Sequence, residues 1–180
     1  GLAIALQHRQ LSNFHLARHL WLLAAFGIIY GAAAWGDVFI PIQSTYLTDA
    51  WIQALIDIQK LAWAVSFAFL LAFAAEMISA RLPWSKKAQR SVRWFALCWS
   101  ALVTLAGIVL LSPEAGESLI RYLLGFPAAM LAAAALILER KNFGTLPSSE
   151  AKTDIMMAAA TFVLFAIFGG LIVPVAGVWP

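Results

Sequence analysis

Charged residues and cysteine are both scarce in this sequence. Asp, Glu, Lys and Arg make up only 12% of its 180 residues, whereas a soluble domain carries roughly 25%. The single cysteine, Cys98, lies within an apolar run, which excludes an internal disulfide and a metal site built from cysteines. The chain also has no Gly-rich phosphate loop, catalytic triad or kinase signature, and no cleavable signal peptide at its start. Composition therefore points to no enzymatic chemistry.

Hydrophobic residues, by contrast, make up 63% of the chain, and the mean hydropathy is +0.85. Five apolar runs reach the roughly 20 residues that a helix needs to cross a bilayer. They are continuous rather than alternating, which favours helices over barrel strands. We predict an all-α polytopic transmembrane helical bundle, a single domain over residues 1–180. Its five full spans are predicted at residues 19–36, 50–80, 92–111, 119–138 and 155–173.

The first residues form a short apolar stretch, 1–6, that is followed at once by Gln7, His8 and Arg9. This pattern is typical of the last turns of a membrane helix. We expect it to be the end of a preceding span, running inward, and the chain to be a fragment of a longer protein. The second full span is longer than a bilayer requires, so we expect it to project beyond the membrane or to be strongly tilted.

The positive charges alternate in position with the acidic ones along the chain. Ten of the twelve Lys and Arg residues fall in three stretches, which hold Arg9 and Arg18; Arg81, Lys86, Lys87, Arg90 and Arg93; and Arg140, Lys141 and Lys152. The intervening connections are acidic. By the positive-inside rule, loops 7–18, 81–93 and 139–154 are predicted to be cytoplasmic.

The formal net charge of +3 and the pI near 9.3 would also suit a nucleic-acid partner. The basic residues, however, sit at segment ends, where they match the anionic headgroups of the cytoplasmic leaflet. We therefore expect the lipid bilayer as the partner, together with a second copy or another membrane subunit, and no nucleic acid.

Glycines mark two of the predicted spans. Gly27, Gly31 and Gly36 lie along the first one, and their spacing predicts close approach of a neighbouring helix. The alternative is a ligand lying against this bare backbone. In the fourth span, Gly125 and Pro127 predict a kink, and kinks often open cavities.

Glu76 is the most deeply placed acidic residue of the sequence. An intramembrane carboxylate is a candidate functional group. The alternative is a carboxylate near the interface that pairs with Arg81 or Arg93.

Arg121 and Lys60 are the two cations that break the positive-inside pattern. Glu117 precedes Arg121 by one helical turn, and Asp57 stands at i, i+3 from Lys60 on another span. An Arg–carboxylate cluster of this kind is suited to an anionic or quinone-like ligand. The alternative is snorkelling of Arg121 to headgroups, together with a pair to Asp57. The candidate ligand-binding residues are Tyr30, Trp35, Asp57, Lys60 and Arg121.

Histidines offer little support for a metal site. His15 and His19 stand at i, i+4, a spacing that allows a shared metal, and His8 precedes them. No carboxylate or cysteine lies nearby in sequence, so we predict no metal site. The sequence leaves any cofactor unknown.

Three segments resemble the N-terminal multi-span input region of bacterial sensor histidine kinases and diguanylate cyclases. They are Leu11-Ser-Asn-Phe-His-Leu-Ala-Arg-His-Leu-Trp-Leu-Leu-Ala-Ala-Phe-Gly27, Trp35-Gly-Asp-Val-Phe-Ile-Pro-Ile-Gln43 and Arg121-Tyr-Leu-Leu-Gly-Phe-Pro127. In that family, about seven or eight spans precede the cytoplasmic domains. Where the family pattern has His-Gly-x-x-Glu-Trp, this chain has Tyr30-Gly-Ala-Ala-Ala34-Trp35, so a role of those polar side chains is in doubt here.

The resemblance implies a module that receives a signal in the membrane or at its outer face and passes it to a cytoplasmic output domain, with no catalysis in this chain. The first alternative is a non-catalytic subunit or scaffold of a larger electron-transfer or pigment complex. The second is a small transporter, which predicts inverted repeats or buried charges along one path. No repeat is evident in the sequence.

Overall fold

The computed structural model describes residues 15–81, 84–110, 113–142 and 149–171, nearly all of them helical. Six α-helices follow one another: α1 (His15–Gln43), α2 (Asp49–Arg81), α3 (Lys86–Leu105), α4 (Pro113–Ile120), α5 (Phe126–Asn142) and α6 (Ser149–Phe165). Three π-helical segments extend or join them: Ala106–Leu110 after α3, Arg121–Gly125 between α4 and α5, and Ala166–Leu171 after α6.

The helices provide five candidate membrane spans. These are His19–Gln43, Asp49–Arg81, Lys86–Val109, Ala115–Glu139 and Thr153–Leu171, each long and apolar enough to cross a bilayer. The fourth combines α4, the π segment and α5. The described residues contain no strand, and the predicted all-α membrane bundle with five spans is confirmed. The predicted end of a preceding span, residues 1–6, lies outside the described residues.

The first span is longer than predicted, because α1 continues through Pro41 to Gln43. The predicted connection from Asp37 to Asp49 shrinks to residues 44–48. Pro41 removes one backbone N–H from the final turns, a small loss near a helix end. Ser44 then closes the helix end, since its hydroxyl donates to the Pro41 carbonyl at 2.7 Å and its N–H donates to the Ile40 carbonyl at 3.0 Å. Pro41 therefore does not mark the end of this helix.

The predicted cytoplasmic loop 81–93 is also largely helical. α3 begins at Lys86 because Ser85 caps it, with the Ser85 hydroxyl accepting the Ala88 N–H at 3.3 Å. Four of the five basic residues of this stretch therefore lie on the first turns of α3, and Arg81 is the last residue of α2. The third predicted loop shortens in the same way, since α5 reaches Asn142 and α6 begins at Ser149.

Short connections make successive spans antiparallel, which defines two ends of the bundle. We call the end with residues 44–48 the turn end, and the opposite one, with Arg81 and Lys86, the basic end. α2 and the α4–α5 span both run from the turn end to the basic end and are therefore parallel. They form the centre of the fold: half of the most apolar stretch of each is buried, against 17% in the other three spans.

Large side chains of α2 and small ones of α5 fill this centre. Phe67, Leu70 and Phe73 of α2 are fully buried, as are Ala128 and Ala132 of α5. Small residues let two helix backbones approach closely, which is how membrane helices gain packing energy without a hydrophobic effect between them. The alanines of α5 thus allow this helix to approach α2 closely.

Candidate functional site

Arg121 is buried within the bundle near the turn end. It is the first residue of the π segment that joins α4 to α5, and it is 8% exposed. Its Nη2 lies 2.7 Å from a Glu117 carboxylate oxygen, one turn earlier on α4. Its Nη1 donates to the Gly169 carbonyl at 3.4 Å, a long hydrogen bond. Its Nε is buried without a hydrogen-bond partner among the described residues. The guanidinium is therefore only partly compensated.

An aromatic wall completes the surroundings of Arg121. The guanidinium carbon lies 4.6 Å from the centroid of the Trp63 ring, a cation–π contact that is worth about 2 kcal/mol when desolvated. Tyr30 meets Trp63 edge-on, with ring centroids 4.5 Å apart, and Phe165 at 5.0 Å. A guanidinium is more weakly hydrated than an ammonium, so an aromatic environment suits arginine better than lysine.

Glu117, and not Asp57, is the ion-pair partner of Arg121. The alternative in which Arg121 reaches the headgroups and pairs with Asp57 is therefore wrong. The physical reason is local, since an i, i+4 carboxylate on the same helix lies within reach at no cost in tertiary arrangement. Burial against Trp63 then holds the side chain inside the bundle.

Lys60 is the second buried cation, at 6% exposure. Its Nζ lies 3.4 Å from an Asp57 oxygen, which confirms the pair predicted from their spacing. The distance is long for a charge-assisted hydrogen bond, which is usually 2.7–2.9 Å. Asp57 also accepts from Gln53 at 3.2 Å and is 45% exposed, so this pair opens towards the turn end.

Polar contacts attach α1 to the same region. Gln59 Nε2 donates to the Ala33 carbonyl at 3.0 Å and to an Asp37 oxygen at 2.7 Å. Residues of α1, α2, α4 and the π segment 121–125 meet around Trp63 and Arg121, together with the Gly169 carbonyl of the π segment after α6. The Asp57–Lys60 pair lies one turn before Trp63 on α2. We call these side chains the Arg121 cluster: Tyr30, Asp57, Lys60, Trp63, Glu117 and Arg121.

Trp35 does not belong to this cluster. It is 76% exposed on the surface of α1. Of the five ligand-binding residues predicted from the sequence, the other four lie in the cluster. Conversely, Trp63 was missed. It stands at i, i+3 from Lys60, but other tryptophans in the chain have a similar spacing from a basic residue. Only the packing of the helices distinguishes Trp63 from them.

The predicted packing glycines behave differently from one another. A Cβ on Gly125 would lie 2.9 Å from Cζ of the buried Phe67 ring, so this site requires glycine. A Cβ on Gly36 would lie 2.7 Å from Gln59 Cδ, the end of a flexible side chain that can move aside. A Cβ on Gly31 would meet no described residue within 4 Å, so the prediction of close packing inside the bundle is wrong there. Gly27 is half-buried. Gly116 was not predicted as a packing position, although a Cβ there would collide with the Gly107 carbonyl oxygen.

Glu76 and Glu139 form two ion pairs towards the basic end. Glu76 pairs with Arg93 through two guanidinium nitrogens, Nε and Nη2, with Nη2 and a carboxylate oxygen 2.6 Å apart, so the interfacial-pair alternative describes it. Arg81 instead binds Glu139, again through two hydrogen bonds, one of them 2.7 Å long. Glu139 is 2% exposed, although it was predicted to lie in a cytoplasmic loop. No local pattern marks it, since its partner Arg81 lies on another helix.

The parallel pair of α2 and the α4–α5 span keeps one register along its length. Trp63 meets Arg121, and Arg81 meets Glu139; both pairs are separated by 58 positions. The close approach of Phe67 to Gly125 has the same separation. The two arginine contacts therefore fasten one helix pair at both ends, ~27 Å apart at 1.5 Å per residue.

No group of three or more possible metal-ligating side chains occurs among the residues that the structure describes. His8 and the side chain of His15 lie outside them. Pro127 and the π segment do border a cavity of about 550 Å³, on the face of the span opposite Arg121. No family model matches this chain, and no curated protein or solved structure matches it either.

Proposed function

We propose that this chain is the membrane-embedded signal-input module of a bacterial sensor protein, which couples a signal in the membrane or outside it to a cytoplasmic output domain. The observation that carries the proposal is the helix pair of α2 and the α4–α5 span, fastened by an arginine contact at each end. The resemblance to sensor input regions supports it independently.

The Arg121 cluster supplies the receiving part of this device. Its two cations are buried but incompletely paired, and Arg121 sits on a π segment. π segments are often found at functional sites, and they allow a helix to shift its register. Tyr30, which stands where the family pattern has histidine, packs on the Trp63 side of the cluster. An anion, or a change at the membrane surface, that competes with Glu117 for Arg121 would alter the packing of the π segment.

The basic end supplies the transmitting part. A displacement of the α4–α5 span along α2 strains the Arg81–Glu139 pair, which has two fixed hydrogen bonds. Helix shifts of 1–2 Å are sufficient for signalling across bundles. The π segment and the ion pair are each either formed or broken. They therefore provide the alternative arrangements that coupling between the two ends of the bundle requires.

The proposed orientation puts the basic end, with loops 7–18, 81–93 and 139–154, in the cytoplasm of a bacterial inner membrane. Cysteine labelling tests it in a Cys98→Ala background. A membrane-impermeant maleimide added to intact spheroplasts should label Tyr46→Cys, and should label Ser85→Cys only after lysis. The reverse pattern would contradict the orientation.

The function is tested in the full-length protein. The reading frame should continue into a kinase or cyclase domain, and Arg121→Gln should shift the basal activity of that domain in proteoliposomes, whereas Arg121→Lys should have a smaller effect. Leu102→Ala is the control, since Leu102 is 61% exposed and remote from both arginine contacts. A frame that encodes no output domain, or a folded Arg121→Gln protein with unchanged output, would favour the scaffold alternative instead.

A further inference from the structure

A lateral groove of about 550 Å³ separates three spans on the side of the bundle opposite Arg121. Its walls include Leu71 and Ile78 of α2, Phe95 and Trp99 of α3, and Leu123 and Phe126 of the α4–α5 span. All six lie within candidate membrane spans, so the groove is at membrane depth. A molecule that enters the groove from the side therefore comes from the bilayer.

Pro127 and Leu123 lie on one wall of the groove. Proline has no N–H to donate within the helix, and the π segment before it has its own hydrogen-bond spacing, with the Phe126 N–H donating to the Arg121 carbonyl. Trp99 Nε1 donates to the Leu123 carbonyl at 3.1 Å. This hydrogen bond occupies a backbone acceptor on the groove wall, which is almost wholly apolar.

We propose that this lateral groove is a binding site for one acyl chain of a phospholipid. A methylene group is close in size to a water molecule, which takes ~30 Å³ in the liquid, so the volume corresponds to roughly 18 methylene groups. Ligand sites of 300–1,000 Å³ are usual in proteins. The headgroup would stay at the membrane surface, where no contact with the groove is required.

The volume and the chemistry of the groove disfavour other occupants. One turn of a helix about 10 Å across fills roughly 400 Å³, so the groove encloses little more than one turn, and most of a helix from a second copy would lie outside it. An isoprenoid quinone carries two ring carbonyls that need donors on burial. The indole N–H of Trp99 is already donated to Leu123, and no charged side chain lines the groove.

The bound chain would touch the π segment that carries Arg121. Tyr122 and Leu123 of that segment line the groove, whereas Arg121 and Leu124 are buried on its other side. Occupancy of the groove and the packing of the Arg121 cluster therefore act on the same five residues. The binding site itself does not depend on the proposed sensor function.

Photo-crosslinking of the full chain in detergent micelles tests the site, with a phosphatidylcholine that carries a diazirine in one acyl chain. Adducts at Phe95, Leu123 and Phe126, located by mass spectrometry, should saturate at one probe per protein and should be displaced by unlabelled phosphatidylcholine. Adducts at Leu102 and Leu105, which are exposed on α3 away from the groove, should rise linearly with the probe.

A groove-filling variant provides the second arm. Ala75 lines the groove and Ala101 is exposed to lipid on α3. Ala75→Phe should reduce the saturable labelling by about tenfold or more, while Ala101→Phe should leave it unchanged; Ile78→Trp is a second filling variant should the first not fold. Groove labelling that stays linear in the wild-type protein overturns the proposal whatever the variants do. So does a folded filling variant with full labelling, or displacement by ubiquinone but not by phosphatidylcholine.

Discussion

Replacing Arg81 with methionine should destabilise the folded bundle by about 3 kcal/mol. Glu139 is the reason, because its side chain is only 3% exposed and Arg81 is the cation bonded to it. Methionine keeps most of the volume of the arginine stem but removes both hydrogen bonds. The change therefore leaves a buried carboxylate without its counter-ion.

The magnitude follows from the burial of the two partners. Removing one member of a buried pair costs about 3–5 kcal/mol, most of it the penalty of the charge left behind. The Arg81 side chain is 31% exposed, so water reaches one edge of the pair and the lower value applies. For a chain of this length, 1 kcal/mol corresponds to a shift in Tm of about 2–4 °C, so a decrease of ~6–12 °C is expected.

Thermal unfolding in bicelles, followed by circular dichroism, measures the effect. Arg90→Met is the matched control, since Arg90 is an exposed basic residue at the same end of the bundle and should change stability by less than about 0.5 kcal/mol. The double variant Arg81→Met/Glu139→Leu removes both charges and should recover most of the loss. A loss below about 1 kcal/mol for Arg81→Met, or a double variant no more stable than the single one, would refute this account of the pair.

Three further substitutions test the packing and the second ion pair. Gly116→Ala should destabilise the bundle by about 1–3 kcal/mol because its methyl group collides with a backbone carbonyl, whereas Gly31→Ala should be neutral or stabilising by up to about 1 kcal/mol; equal effects in the same unfolding assay would contradict the packing difference. Glu76→Gln should lower the free energy of unfolding by less than about 1 kcal/mol because its partner Arg93 is 57% exposed. A loss of stability as large as that of Arg81→Met would contradict this expectation.

The number of spans was predictable because hydropathy is a local property, and a membrane demands about 20 apolar residues in a row whatever their neighbours are. The helix ends were not. α1 passes through Pro41 and α3 starts at Lys86. Each of these ends depends on the hydrogen bonds of one or two side chains, such as those of Ser44 and Ser85. Such side chains give only a weak sequence signal for the position of a helix end.

Part of the candidate site was also predictable from residues that are close in sequence. Asp57–Lys60 and Glu117–Arg121 stand at helical spacings, and a helix brings such residues together wherever it lies. Gly31 shows the limit of this reasoning. Its sequence spacing matches a close-packing motif, yet a Cβ at this position would meet none of the described residues within 4 Å.

The sequence by itself determined that this chain folds into membrane-length helices, and it determined the ion pairs within one helix, because both depend on residues a few positions apart. Only the tertiary structure decided that Arg121 stacks on Trp63, that Arg81 binds Glu139, and that α3 stands off far enough to leave the lateral groove. These contacts depend on which helices are neighbours and in what register. That choice is set by the fit of large and small side chains over whole faces, such as Phe67 against Gly125, and no local pattern encodes it.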